Sequence, residues 1–138
     1  MKKIIFLLIA FFSVATIFAQ KTPLQFSATK HSFGKIKQHV PASYVFTFKN
    51  VSDKPVVIES AVAGCGCTTP EYPKGVIAKG GSNKIKVTYN SEAMGVFTKQ
   101  VTVKIANVAE PIILNIEGEV VTATATSAVK SKASSKKS

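Results

Sequence analysis

The chain is 138 residues long and carries 18 basic side chains against 7 acidic ones, a formal charge of +11. Every one of the basic residues is lysine. The planar guanidinium fork that reads phosphates and guanine edges is therefore absent, which argues against nucleic-acid recognition as the source of the basicity.

In chain order, the first element is MKKIIFLLIAFFSVATIFAQ. Lys2 and Lys3 lead an apolar run, Ile4 to Phe12, and small residues prepare a cut after Ala19. Charge, length and cleavage chemistry predict a secretory signal peptide over 1–19, so the chain is expected in the periplasm or outside the cell. The apolar run is short for a membrane span, which needs about 20 residues. No cysteine lies near the cut, against a lipid-anchored form.

Residues 20–121 amount to one small domain. Setting aside Lys2, Lys3 and four lysines of the C-terminal segment, this part keeps 12 basic and 7 acidic residues, a charge of +5. Its patterning has period two. LQFSATKHSFGKI reads as one or two strands. In YVFTFKN, Tyr44, Phe46 and Phe48 alternate with Val45, Thr47 and Lys49. PVVIESAV, from Pro55, is another strand, and Ile85, Val87 and Tyr89 alternate with lysines and Thr88 in KIKVTYN. Val101, Val103 and Ile105 define the next, and Ile112, Leu114, Ile116 and Val120 the last. Turn residues punctuate these runs at 50–55, 79–82, 90–91 and 107–111. Such alternation marks half-buried antiparallel strands. About seven of them predict an all-β, immunoglobulin-like antiparallel β-sandwich. Its cohesion must be apolar, because there is no tryptophan and cysteines one residue apart cannot bridge two sheets.

From Thr122 the chain reads TATATSAVKSKASSKKS, with Val129 its one large apolar residue. A segment 122–138 of this composition cannot bury enough surface to offset ordering entropy and is expected to be disordered. Its Lys130, Lys132, Lys136 and Lys137 suit a solubilising tail, or weak adhesion to anionic envelope polymers.

Several short motifs follow one another through the central part: Phe33-Gly34 with Ile36, Phe48-Lys49-Asn50, Pro55 to Ile58, and Cys65-Gly66-Cys67-Thr68. Glu71-Tyr72-Pro73, Gly81-Ser82, Lys84 to Tyr89, Gly95-Val96-Phe97-Thr98-Lys99 and Ile116-Glu117-Gly118-Glu119-Val120 complete the series. In this order they resemble the secreted bacterial domain-of-unknown-function family 1573, common in Bacteroidetes, over residues 24–121. Lys79, where the family usually has proline, and Ala106-Asn107 depart from its pattern at turns. The resemblance implies an immunoglobulin-like sandwich akin to cilia-associated and pilus-chaperone domains, and no particular activity.

The chemistry concentrates in Cys65 and Cys67, the two cysteines of the chain. In an oxidising compartment they can close a local disulfide, with Gly66 supplying the bend. A ring this small would stabilise little through the unfolded state. As thiolates, the two would suit copper(I) or zinc, with Met94, His31 and His39 the other candidate ligands. As a redox pair they would exchange with thiols, although no helix N-terminus follows them; Lys74 and Lys79 are the nearest cations in sequence. Thr68, Thr69 and Pro70 read as stiffeners of the loop exit, and His31 and His39 as surface or strand-end residues. Asp53 lies in a turn, Glu71 and Glu92 form the thin case for an acid–base pair, and no nucleophile elbow or phosphate loop occurs. No catalytic residue is expected. The function expected is a non-enzymatic binding module of the envelope that meets a protein or another envelope component at its loop ends or a sheet edge. Soft-metal binding or thiol exchange at Cys65 and Cys67 is the alternative.

Overall fold

The computed structural model describes residues 21–122; the expected signal peptide, and the C-terminal segment from residue 123, lie outside them. Eight strands follow one another: β1 Leu24–Phe26, β2 Lys30–Lys37, β3 Ala42–Asn50, β4 Ile58–Ala63, β5 Thr68–Glu71, β6 Ser82–Tyr89, β7 Gly95–Ile105 and β8 Ile112–Val121. They form two four-stranded sheets, in the orders β1-β3-β6-β5 and β2-β8-β7-β4.

The alternation read from the sequence sets the inner faces. Phe46 and Phe48 of β3, Ile85, Val87 and Tyr89 of β6, Val101, Val103 and Ile105 of β7, and Leu114, Ile116 and Val120 of β8 are all buried between the sheets. Their alternate neighbours Val45, Thr47 and Lys49, or Lys84 and Lys86, face solvent. Burying the apolar half of each strand supplies the main driving force, at about 25 cal/mol per Å² of apolar surface.

Three features differ from the sequence-based expectation. There are eight strands because Thr68, Thr69 and Pro70, expected to stiffen a loop, are strand β5, with Thr69 opposite Thr88 and Pro70 opposite Val87. Proline is tolerated there because β5 is an edge strand, where one side has no ladder bonds to make. The sandwich is also not purely antiparallel: β2 lies parallel to β8, with His31 opposite Ile116 and Ile36 opposite Val120. Direction depends on where a strand lands in the sheet, which alternation does not encode. Finally, the strand expected from Pro55 begins at Ile58, while Val56 makes an isolated bridge to Ile77.

One end of the sandwich gathers the β2–β3 turn, the β6–β7 loop and the β4–β5 loop that carries both cysteines. The His39 amide donates to the Ser91 carbonyl at 2.9 Å, Gln38 Nε2 donates to the Glu92 carbonyl at 2.9 Å, and the Asn90 amide donates to the Cys67 carbonyl at 3.0 Å. The opposite end is organised by Asn50.

Candidate functional site: the Cys65–Cys67 loop and the open half of β7

Strand β4 ends at Ala63, opposite Val101 of β7. One further bond continues the pairing, from the Gly64 amide to the Gln100 carbonyl at 3.2 Å. The chain then leaves the sheet through Cys65, Gly66 and Cys67 and enters β5 in the opposite sheet. The two sulfurs are joined in a disulfide, with the Cα atoms 5.3 Å apart, an ordinary separation for such a bond. The Thr68 amide donates back to the Cys65 carbonyl at 3.4 Å, which closes the turn.

The surroundings of the two sulfurs are unequal. Cys67 packs against the core and its carbonyl is held by Asn90; Cys65 is half-buried without joining that packing. Thr68 is buried, and its Oγ1 lies 3.8 Å from each sulfur. A disulfide carries no hydrogen, so the threonine hydroxyl is the donor.

Lys99 is the cation that sequence reasoning missed. It shares a strand face with the buried Phe97 and Val101, is half-buried, and stands opposite Ile116. The Gly64–Gln100 bond brings the start of the cysteine loop to Gln100, the residue that follows Lys99 in β7. Among the described residues no ion pair engages Lys99. The signal was present in the sequence as a lysine at an inward position of β7. Lys74 and Lys79 are placed elsewhere: Lys74 lies over the Tyr72 ring at 3.6 Å, and Lys79 is 4.0 Å from Asp53.

The other candidates are dispersed. His31 is the second residue of β2 and half-buried: it stacks on Tyr44 with ring centroids 3.6 Å apart and meets the Phe33 ring edge-on at 4.8 Å. His39 and Met94 are exposed on separate loops, and among the described residues no group of three His, Cys, Asp or Glu side chains stands together. Copper or zinc at Cys65 and Cys67 would first require reduction of the bond between them. Glu71 stands opposite Lys86 on β5 and Glu92 belongs to the β6–β7 loop, so no acid–base pair is built.

The scattered motifs also acquire a reason. Phe97 pairs with Gly118 across β7 and β8 and stacks on Tyr89 of the opposite sheet at 4.0 Å, while Gly34, with φ of 65°, bulges β2 beside them. Thus Phe33-Gly34, the Gly-x-Phe-x-Lys strand and the glycine of β8 form one packing unit. Residues 24–120 match the family described as protein of unknown function DUF1573. The chain belongs to that family. A search of curated proteins gave no match.

Among solved structures, a protein of unknown function from Porphyromonas gingivalis W83 superposes with a TM-score of 0.61 at 14% identity, over 75% of this chain and 51% of that one. The DUF1573 chain thus spans about half the length of that protein. The PapD-like domain 7 of human CEP192 gives 0.61 at 12% identity, over 74% and 87% of the two chains. WR4, an MSP family member of C. elegans, gives 0.54 at 8%, over 73% and 100%. At these identities the likeness is one of fold: an immunoglobulin-like, PapD- and MSP-type sandwich.

Proposed function

We propose that this DUF1573 chain is an exported, non-enzymatic module of the cell envelope that works by binding, taking an extended peptide segment as an added strand on the open half of β7. The observation that carries this reading is that β7 outruns β4. Among the described residues, from Gly95 to Lys99 it has β8 on one side and no strand on the other. The Gly64–Gln100 bond fixes the parity: Gln100 turns its backbone groups toward the β4 side, and so do Thr98 and Val96 two and four residues earlier. Val96 is also 82% exposed.

Three of the four edge strands are guarded in ways that discourage pairing, and the fourth, β4, is interrupted by a register shift after Ile58. β1 has three residues, β5 has four including Pro70, and β2 is bulged and carries Lys30, Lys35 and Lys37. An extended peptide meeting β7 gains main-chain bonds from Val96 and Thr98, with side-chain specificity supplied by alternate positions. The signal-like leader supports the envelope location, and family and fold are compatible with a binding role.

Thr98→Pro tests the reading. It removes an amide that points away from β8, so the β7–β8 ladder stays intact. Capture from envelope extracts, followed by amide exchange with the captured partner, should show protection at Val96 and Thr98 that the variant loses while keeping its fold. Protection confined to other strands would overturn it.

A further inference from the structure

We propose a second capacity, independent of strand addition: Cys65–Cys67 is a thiol–disulfide exchange site in which Cys65 Sγ is attacked, Cys67 Sγ leaves, and Lys99 draws in the incoming thiolate.

Access comes first. Gly64 and Gly66 flank Cys65 and are exposed, and a β-carbon built on either would meet nothing within 4 Å. Neither adopts the left-handed backbone that favours glycine. The fold therefore makes no steric demand for these two glycines, and both cysteines beside them are half-buried rather than enclosed.

The roles of the sulfurs follow from their unequal settings. Cys67 is held from behind by the core and by Asn90, so Cys65 presents the reachable sulfur. In-line attack by an external thiolate on Cys65 Sγ forms a mixed disulfide and expels Cys67 as a thiolate. The Thr68 hydroxyl, already 3.8 Å from that sulfur, donates to the charge that develops there. A second thiolate then attacks the external sulfur of the mixed disulfide, giving an external disulfide and releasing Cys65 as a thiolate. Both cysteines take protons from water, and two external thiols have passed two electrons to the pair. The co-reactant is a thiol, small or protein-borne. Lys99, next in β7 to the Gln100 that binds Gly64 and without an ion-pair partner among the described residues, favours anionic thiols. Because the bond closes only a short loop, opening it leaves the sandwich folded.

The test uses the full exported chain with two probes, reduced glutathione, which is anionic, and cysteamine, which is cationic. Acid-quenched samples should show a glutathione adduct that maps to Cys65. Lys99→Met should slow glutathione about threefold to tenfold at low salt, an effect erased at high salt, and should not slow cysteamine. Thr68→Val should slow both probes, with Thr68→Ser restoring the rate; dichroism confirms that each variant folds. A disulfide inert to millimolar thiols in the folded protein, an adduct on Cys67, or a Lys99→Met effect equal for both probes and insensitive to salt would overturn the proposal.

Discussion

The Phe97 ring occupies the space that a β-carbon on Gly118 would need: such an atom would fall 2.8 Å from Phe97 Cζ and 2.9 Å from the Gly34 carbonyl oxygen. The ring can swing, but the oxygen belongs to the backbone of the β2 bulge and has little room to yield. Phe97 in turn stacks on Tyr89 of the opposite sheet, so one aromatic ties three strands together.

Gly118→Ala should therefore cost about 1–3 kcal/mol, the usual range for overpacking. Phe97→Ala should cost about 3–5 kcal/mol. In urea unfolding the double variant should lose less than the sum of the two, because removing the ring removes one of the two collisions. Strict additivity would show that the pair is not coupled.

Asn50 is almost fully buried and satisfies the turns at the end of the sandwich opposite the cysteines. Its Nδ2 donates to the carbonyls of Lys54, Ile77 and Ala78, and its Oδ1 accepts from the Ser52 amide at 3.0 Å and the Ser52 hydroxyl at 2.7 Å. Asn50→Ala removes all five of these bonds, although the carbonyls of Lys54, Ile77 and Ala78 each keep one other donor, and should cost about 2–4 kcal/mol. Asn50→Asp would turn a carboxylate toward three carbonyl oxygens, raising its folded-state pKa above the unfolded value. The folded state then holds the proton more tightly, so this variant should lose stability relative to wild type as pH rises from about 4 to about 7. Parallel pH profiles of thermal midpoints check the sign.

Ser91 is fully buried at a backbone φ of 57°, and among the described residues its hydroxyl has no hydrogen-bond partner. Both features favour replacement by glycine, which adopts the left-handed region at no steric cost and buries no hydroxyl. Ser91→Gly should raise the unfolding free energy by about 1 kcal/mol, read as a higher thermal midpoint. A lower one would mean that the hydroxyl has a use.

Replacing Cys65 and Cys67 together by serine should leave the dichroism spectrum and a single cooperative transition. The chain-entropy account gives about 1.5 kcal/mol for so short a loop. Collapse of the fold on mild reduction would contradict the central role of strand packing in holding the two sheets together.

Much of this protein was legible in advance, and for a local reason. In β3, β6, β7 and β8 each side chain's fate is set by its parity, so the alternation of apolar and polar residues named the inner face before any partner was known. Phe46, Val87, Val103 and Leu114 are buried as their positions require. The same parity carried two signals that were overlooked: Asn50 continues the inward series of Phe46 and Phe48, and Lys99 that of Phe97 and Val101. Strand β5 was not legible, because TTPE has no apolar alternation and contains a proline.

Other properties exist only once distant segments meet. The parallel placement of β2 on β8, the exposed half of β7 left by the shorter β4, and the bond that brings Gly64 of the cysteine loop to Gln100 each depend on which strands become neighbours and in what register. The composition and alternation of the sequence therefore determined a basic, lysine-only β-sandwich with two closely spaced cysteines. Tertiary structure alone decided what stands beside them, because alternation specifies a face of a strand but not the strand across from it.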